Sequence, residues 1–152
     1  MKNWIIILVS IIMFNCSEGT SDEKIIDTFI NEVIIKKNLD YDNWSNYINF
    51  PDNQSKEGKK IIIDLIKQNI IRTNLVLENN EYTIIKYSDL EKNNLSSNLK
   101  YNDYDKLYFL ISDNKIINPF IIENNKIIAF FNGLTKQRRN SYPLILNKDN
   151  IF

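Results

Sequence analysis

The spacing of apolar residues along this chain changes three times, and each change predicts a different kind of segment. Trp4 to Phe14 is apolar at every position except Ser10, with Lys2 ahead of it. The run has no polar face and no helix caps, so it does not read as a core helix. It spans about 11 residues, where a membrane-crossing helix needs about 20. A short apolar run behind a basic start is the pattern of a secretory signal peptide. The spacing then becomes helical: Ile25, Ile26, Phe29, Ile30, Val33 and Ile34 share one face. Thr20 and Glu23 fit a capping box at its start, near Thr20 or Ser21. Lys36 and Lys37 sit in its last turn, where cations suit the helix dipole. In "LDYDNWSNYINFP", Asp40 or Asp42 predicts the cap of a short helix that turns Trp44, Tyr47 and Ile48 inward and ends by Pro51. A third helix is expected from near Ser55 to about Arg72, with Ile62, Leu65, Ile66 and Ile70 buried.

Past a turn at Asn79 to Glu81 the period shortens to two. "EYTIIKYS" predicts a strand with Tyr82, Ile84 and Lys86 on one face and Thr83, Ile85 and Tyr87 on the other. "DLEKNNLSSNLKYNDYD" reads as a polar connection that opens on a helical turn. Three apolar runs follow, "KLYFLIS", "IINPFIIE" and "KIIAFFNG", separated by "DNK" and "NN". Asn tolerates positive φ, so these short gaps predict hairpins. Pro119 lacks a ladder donor, which predicts an edge position or a bulge. "SYPLIL" adds a candidate edge strand. Helices first and a meander afterwards give an α+β fold, with N-terminal helices on one face of an antiparallel sheet of about four strands. This element order is similar to that of NTF2-like and cystatin-like domains. Phe130 and Phe131 are consecutive. Strand geometry would send them to opposite faces, which motivates a protein contact on the outer face of the sheet.

The apolar run ends on "IIMFNCS", which contains the only cysteine, Cys16. This stretch resembles the lipobox of bacterial lipoproteins, in a relaxed form like those of spirochaetes and the Bacteroidetes group. Asn15 stands where a small residue is usual, and Met13 where an aliphatic one is. The resemblance implies removal of residues 1–15 and acylation of Cys16. It also implies anchoring in a bacterial cell envelope, with Ser17 favouring the outer membrane. A lone cysteine in an exported chain has no intramolecular disulfide partner. Lipidation gives it a use, and two acyl chains suffice for stable anchoring. Cleavage without lipidation and an uncleaved anchor are the alternatives. Residues 16–21 would form the lipidated cysteine and a short tether, and 22–152 a single domain.

Composition narrows the chemistry. After the signal about 137 residues remain, enough for one core. Lys plus Arg equal Asp plus Glu at 19 each, so no steering of nucleic acid is implied. His is absent and Cys is single, which excludes Ser-His-Asp and Cys-His nucleophilic sites and the usual His and Cys zinc sites. The 3 glycines are dispersed, so there is no Gly-rich phosphate loop. No cofactor is expected.

The residues left to consider are few. Asp103 with Asp105, and Asp89 with Glu91, lie in the polar connection and read as solvated charges; hard cations want clustered oxygens, but the EF-hand spacing is missing. Lys136, Arg138 and Arg139 in "GLTKQRRNSYP" are candidates for contact with an anionic surface. Aromatic side chains suit a core, with a helix–sheet pocket for a small apolar ligand as the functional variant. Asp64, between apolar neighbours, is the acid that a small NTF2-like enzyme with a buried carboxylate would use. The reading that these features favour is a non-enzymatic binding or interaction module. It would be held at a membrane by its lipid, and would engage an envelope protein or a small apolar ligand. A surface-coat role is the third reading.

Overall fold

The computed structural model describes residues 19–50, 54–131, 135–136 and 140–141. The apolar run, Cys16 and residues 142–152 therefore lie outside the described residues, as do Pro51 and most of "SYPLIL".

Helix α1 (Ser21–Phe29) continues directly into a π-helical segment (Ile30–Ile35). The capping box forms as the sequence predicts. Thr20 N donates to Glu23 Oε2 at 2.8 Å, and Glu23 N donates to Thr20 Oγ1 at 3.2 Å. At the far end Lys37 takes a left-handed conformation, φ 50°. Asn38 N then donates to Val33 O and Lys37 N to Ile34 O. This is a Schellman closure, built here on a lysine rather than on glycine. Ile26, Phe29, Ile30, Val33 and Ile34 are buried on the predicted face.

Asp40 is the cap of the short helix α2 (Tyr41–Trp44), and it delivers Trp44 and Ile48 to the core. Beyond it, Asn49 N donates to Ile127 O and Ile127 N to Tyr47 O. This parallel bridge covers part of an otherwise open sheet edge. Helix α3 (Lys56–Leu77) is capped by Ser55, whose Oγ accepts from Gly58 N at 3.1 Å. It runs five residues past the predicted end at Arg72. Thr73 and Asn74 read as polar terminators, but both are buried. Asn74 donates Nδ2 to Ile34 O at 3.0 Å and Ile35 O at 3.1 Å, two carbonyls in the last turn of the π segment. Leu65 was expected inside and is 40% exposed. The buried stripe of α3 instead passes through Ile62, Ile66, Asn69, Ile70, Thr73 and Leu77.

The sheet is an antiparallel meander, β1 (Thr83–Lys86), β2 (Leu107–Ser112), β3 (Lys115–Glu123) and β4 (Lys126–Ala129), with neighbours in chain order. With the helices before it, this is the expected α+β arrangement. Both tight connections have positive φ at both central residues, 50° and 56° at Asp113–Asn114 and 51° and 58° at Asn124–Asn125. These are the backbone signs of type I′ turns, whose twist matches that of the strands. Two further short strands, β5 (Thr135–Lys136) and β6 (Asn140–Ser141), pair with each other.

Two expectations need correction, and Pro119 takes an intermediate place: it lies on a central strand, paired with Phe109, beside a register shift at Leu110/Ile111. It is tolerated because β4 ends opposite Ile121, so no β4 residue stands beside Pro119 to require its donor. Phe130 and Phe131 do not split between the faces, because β4 ends at Ala129 and alternation ends with it. Both pack on the helix side, with their rings 5.3 Å apart. The outer face of the sheet is not open for a partner either. Leu90 and Leu99, from the connection between β1 and β2, lie over Leu107, Phe109, Ile111 and Ile121 and form a second core. That connection holds short 3₁₀ turns at Tyr87–Asp89, Glu91–Asn93 and Tyr104–Lys106. The main core fills the space between helices and sheet, with Phe29, Phe120 and Phe130 packed ring against ring at 5.3–6.3 Å. Between helix and sheet these aromatic side chains pack as a core, the first of the two readings the sequence offers for them.

Candidate functional site

Where β4 stops, the rim of the sheet meets the middle of α3. The opening there is a cleft of about 210 Å³, lined by Leu65, Gln68, Asn69, Arg72, Ile117, Asn118 and Phe131. Its construction follows from polar residues on the buried stripe of α3. Asn69 donates Nδ2 to Phe130 O at 3.0 Å, which ties the chain after β4 to the helix. Asn118 donates Nδ2 to Thr73 Oγ1, which ties β3 to the same helix. Buried amides are held where every donor finds an acceptor, so these bonds set the distance between helix and strand. Each amide spends one N–H on the fold, and no hydrogen bond to either Oδ1 is found among the described residues.

Arg72 stands exposed at the side of the cleft, one turn from Gln68. It is the only arginine among the described residues and makes no ion pair or hydrogen bond with any of them. The cleft thus offers a guanidinium fork and two amide oxygens between the apolar walls Leu65, Ile117 and Phe131. A guanidinium recognises a carboxylate with two parallel N–H···O bonds. The volume is below the 300–1,000 Å³ typical of drug-sized ligands, so the cleft accommodates a group about the size of one amino-acid residue.

The residues singled out in the sequence fall elsewhere. Cys16, Arg138 and Arg139 lie outside the described residues. The backbone of Lys136 pairs with Asn140 in the small β5–β6 hairpin. Asp64 faces solvent, which removes the acid on which a buried-carboxylate enzyme would have rested. Asp103 caps the turn at Tyr104–Lys106 through Asp105 N, while Asp105 pairs with Lys86 and Asp89 with Lys92. Glu91 is exposed. No group of three or more acids or other metal-binding side chains gathers among the described residues.

Three tyrosines bond to carboxylates, and each joins distant parts of the chain. Tyr82 donates to Asp27 Oδ1 at 2.8 Å, with Asn31 Nδ2 3.1 Å from the same hydroxyl. Burial first, then the bond to Asp27 and its charge, push the Tyr82 hydroxyl up to about 12. Tyr101 donates to Glu123 Oε1 at 2.7 Å, and burial followed by that bond raises it as well. Tyr108 reaches Asp22 Oδ2 at 3.3 Å and is raised chiefly by burial. A raised phenol is a poorer source of phenolate, so these pairs serve as struts, not as bases.

The sequence reading missed Asn69, Arg72 and Asn118. A signal was present for Asn69: it falls three residues after Ile66 and four before Thr73, on the stripe that turns inward. Arg72 was taken as the end of the helix and so was not weighed as a side chain. No helix among the described residues is long and apolar enough to cross a membrane. Comparison with protein-family models, with curated proteins and with solved structures gave no match.

Proposed function

We propose that this chain is a lipoprotein of the bacterial cell envelope, and that its folded part is a non-enzymatic binding module. The observation that carries the address is the apolar run behind Lys2 that ends on the single cysteine and turns polar at Ser17. Cys16 would hold the lipid, and the few residues before the α1 cap at Thr20 would keep the domain close to the bilayer. An outer-membrane position follows from Ser17 as the mild preference. The binding role is supported by the shape of the domain. Both cores are filled with side chains, and the cleft beside α3 presents an arginine and two amide oxygens that have no partner among the described residues. Such groups suit recognition, since each loses water only when a complementary ligand replaces it.

Fractionation of the native host tests both parts. Wild-type protein should enter the detergent phase of a phase-separation experiment and be crosslinked to a discrete envelope partner or copurify with a ligand. Cys16→Ala should move to the aqueous phase or accumulate with its first 15 residues intact. Aqueous partitioning of the wild type would remove the address. Membrane partitioning with no partner or ligand at any expression level would favour the coat role over the binding module.

A further inference from the structure

We propose that the cleft between α3 and β3 binds a carboxylate borne next to an N–H on an apolar group: the C-terminal residue of a peptide, or an N-acylated amino acid. The inference rests on the binding-module reading and names its ligand class. The groups divide the ligand between them. Arg72, exposed and without an ion pair among the described residues, takes the carboxylate. The Oδ1 atoms of Asn69 and Asn118 are acceptors, and one N–H of each Nδ2 is committed, to Phe130 O and to Thr73 Oγ1, which fixes how each amide lies. Acceptors of this kind call for a donor on the ligand, which a bare fatty acid does not have. Leu65, Ile117 and Phe131 supply apolar walls for one side chain, and about 210 Å³ sets the limit at one residue. A fixed floor favours binding, since two buried amides already held by the fold need no ordering when the ligand arrives.

The full chain, purified in mild detergent and labelled with ¹⁵N, is titrated with N-acetyl-leucine, N-acetyl-leucinamide and hexanoate. The side-chain amide signals of Gln68, Asn69 and Asn118 are followed. The expected result is saturable shifts of these signals with N-acetyl-leucine. The amide and hexanoate should each bind at least about tenfold more weakly, one lacking the carboxylate and the other the N–H. Arg72→Gln should erase the preference for the acid over the amide. Arg72 is exposed, so the variant keeps the fold, and Leu75→Ser, away from the cleft, should behave as wild type. Equal binding of acid and amide, an unchanged preference in Arg72→Gln, or no shift in the cleft overturns the proposal. Hexanoate binding as tightly as N-acetyl-leucine overturns the peptide-like ligand in favour of a simple fatty acid. A partner crosslinked in the native membrane that protects a different face would leave the binding module standing and refute only this site.

Discussion

At the residue scale, the fold depends on a few side chains whose polar atoms have specific duties. Thr20 holds the first turn of α1 through a reciprocal pair of bonds with Glu23. Thr20→Ala should lower stability by about 1 kcal/mol in urea denaturation, the usual effect of losing an N-cap. Tyr82 carries a pH dependence with a definite sign. Its hydroxyl is raised from 10.0 to about 12 in the folded protein. The folded state therefore holds this proton more tightly than the unfolded chain does. The stabilisation is complete below the unfolded value and is lost as the pH rises through the folded one. Urea midpoints measured between pH 10 and 12 should fall more steeply for wild type than for Tyr82→Phe; parallel curves would mean that burial and the Asp27 bond do not raise this hydroxyl. The Thr20 cap was legible in the sequence because a capping box is a local pattern. Tyr82 with Asp27 was not, because the two are 55 positions apart and no local spacing encodes their meeting.

At the element scale, the β-hairpins were the most legible feature. "DN" and "NN" between β-forming runs encode the positive φ that type I′ turns need, and both turns form there. Asn125→Gly should raise stability by a few tenths of a kcal/mol, because glycine meets no Cβ penalty at φ 58°. Lys37→Gly should gain more, about 1 kcal/mol, since lysine is a poor residue for the left-handed position that closes the π segment. Thermal melts of the two variants should rank in that order. The end of α3 was misread for a physical reason. Thr73 and Asn74 resemble helix terminators when they face water, but here they face Asn118 and the carbonyls of Ile34 and Ile35. Tertiary hydrogen bonds override the local preference. The pair Phe130–Phe131 was misplaced for a related reason: the prediction assumed a longer strand, and β4 stops at Ala129.

At the scale of the whole molecule, the α+β layout was legible from the change of apolar period, but the second core was not. Leu90, Leu95 and Leu99 are scattered through a polar connection with no regular spacing, yet Leu90 and Leu99 are buried against the outer face of the sheet. Leu99→Ala should cost about 2–5 kcal/mol, as for other buried leucines. A loss below about 0.5 kcal/mol would mean that the connection is only a loose cover. The candidate cleft was illegible for the same kind of reason. Asn69, Arg72 and Asn118 come together only through the packing of α3 on β3. The address, by contrast, rests on the first 16 residues alone. The most direct test of the central claim is the intact mass of the protein taken from its native membrane fraction. The account predicts a chain that starts at Cys16 and carries acyl chains. A full-length mass with a free thiol at Cys16 would contradict it.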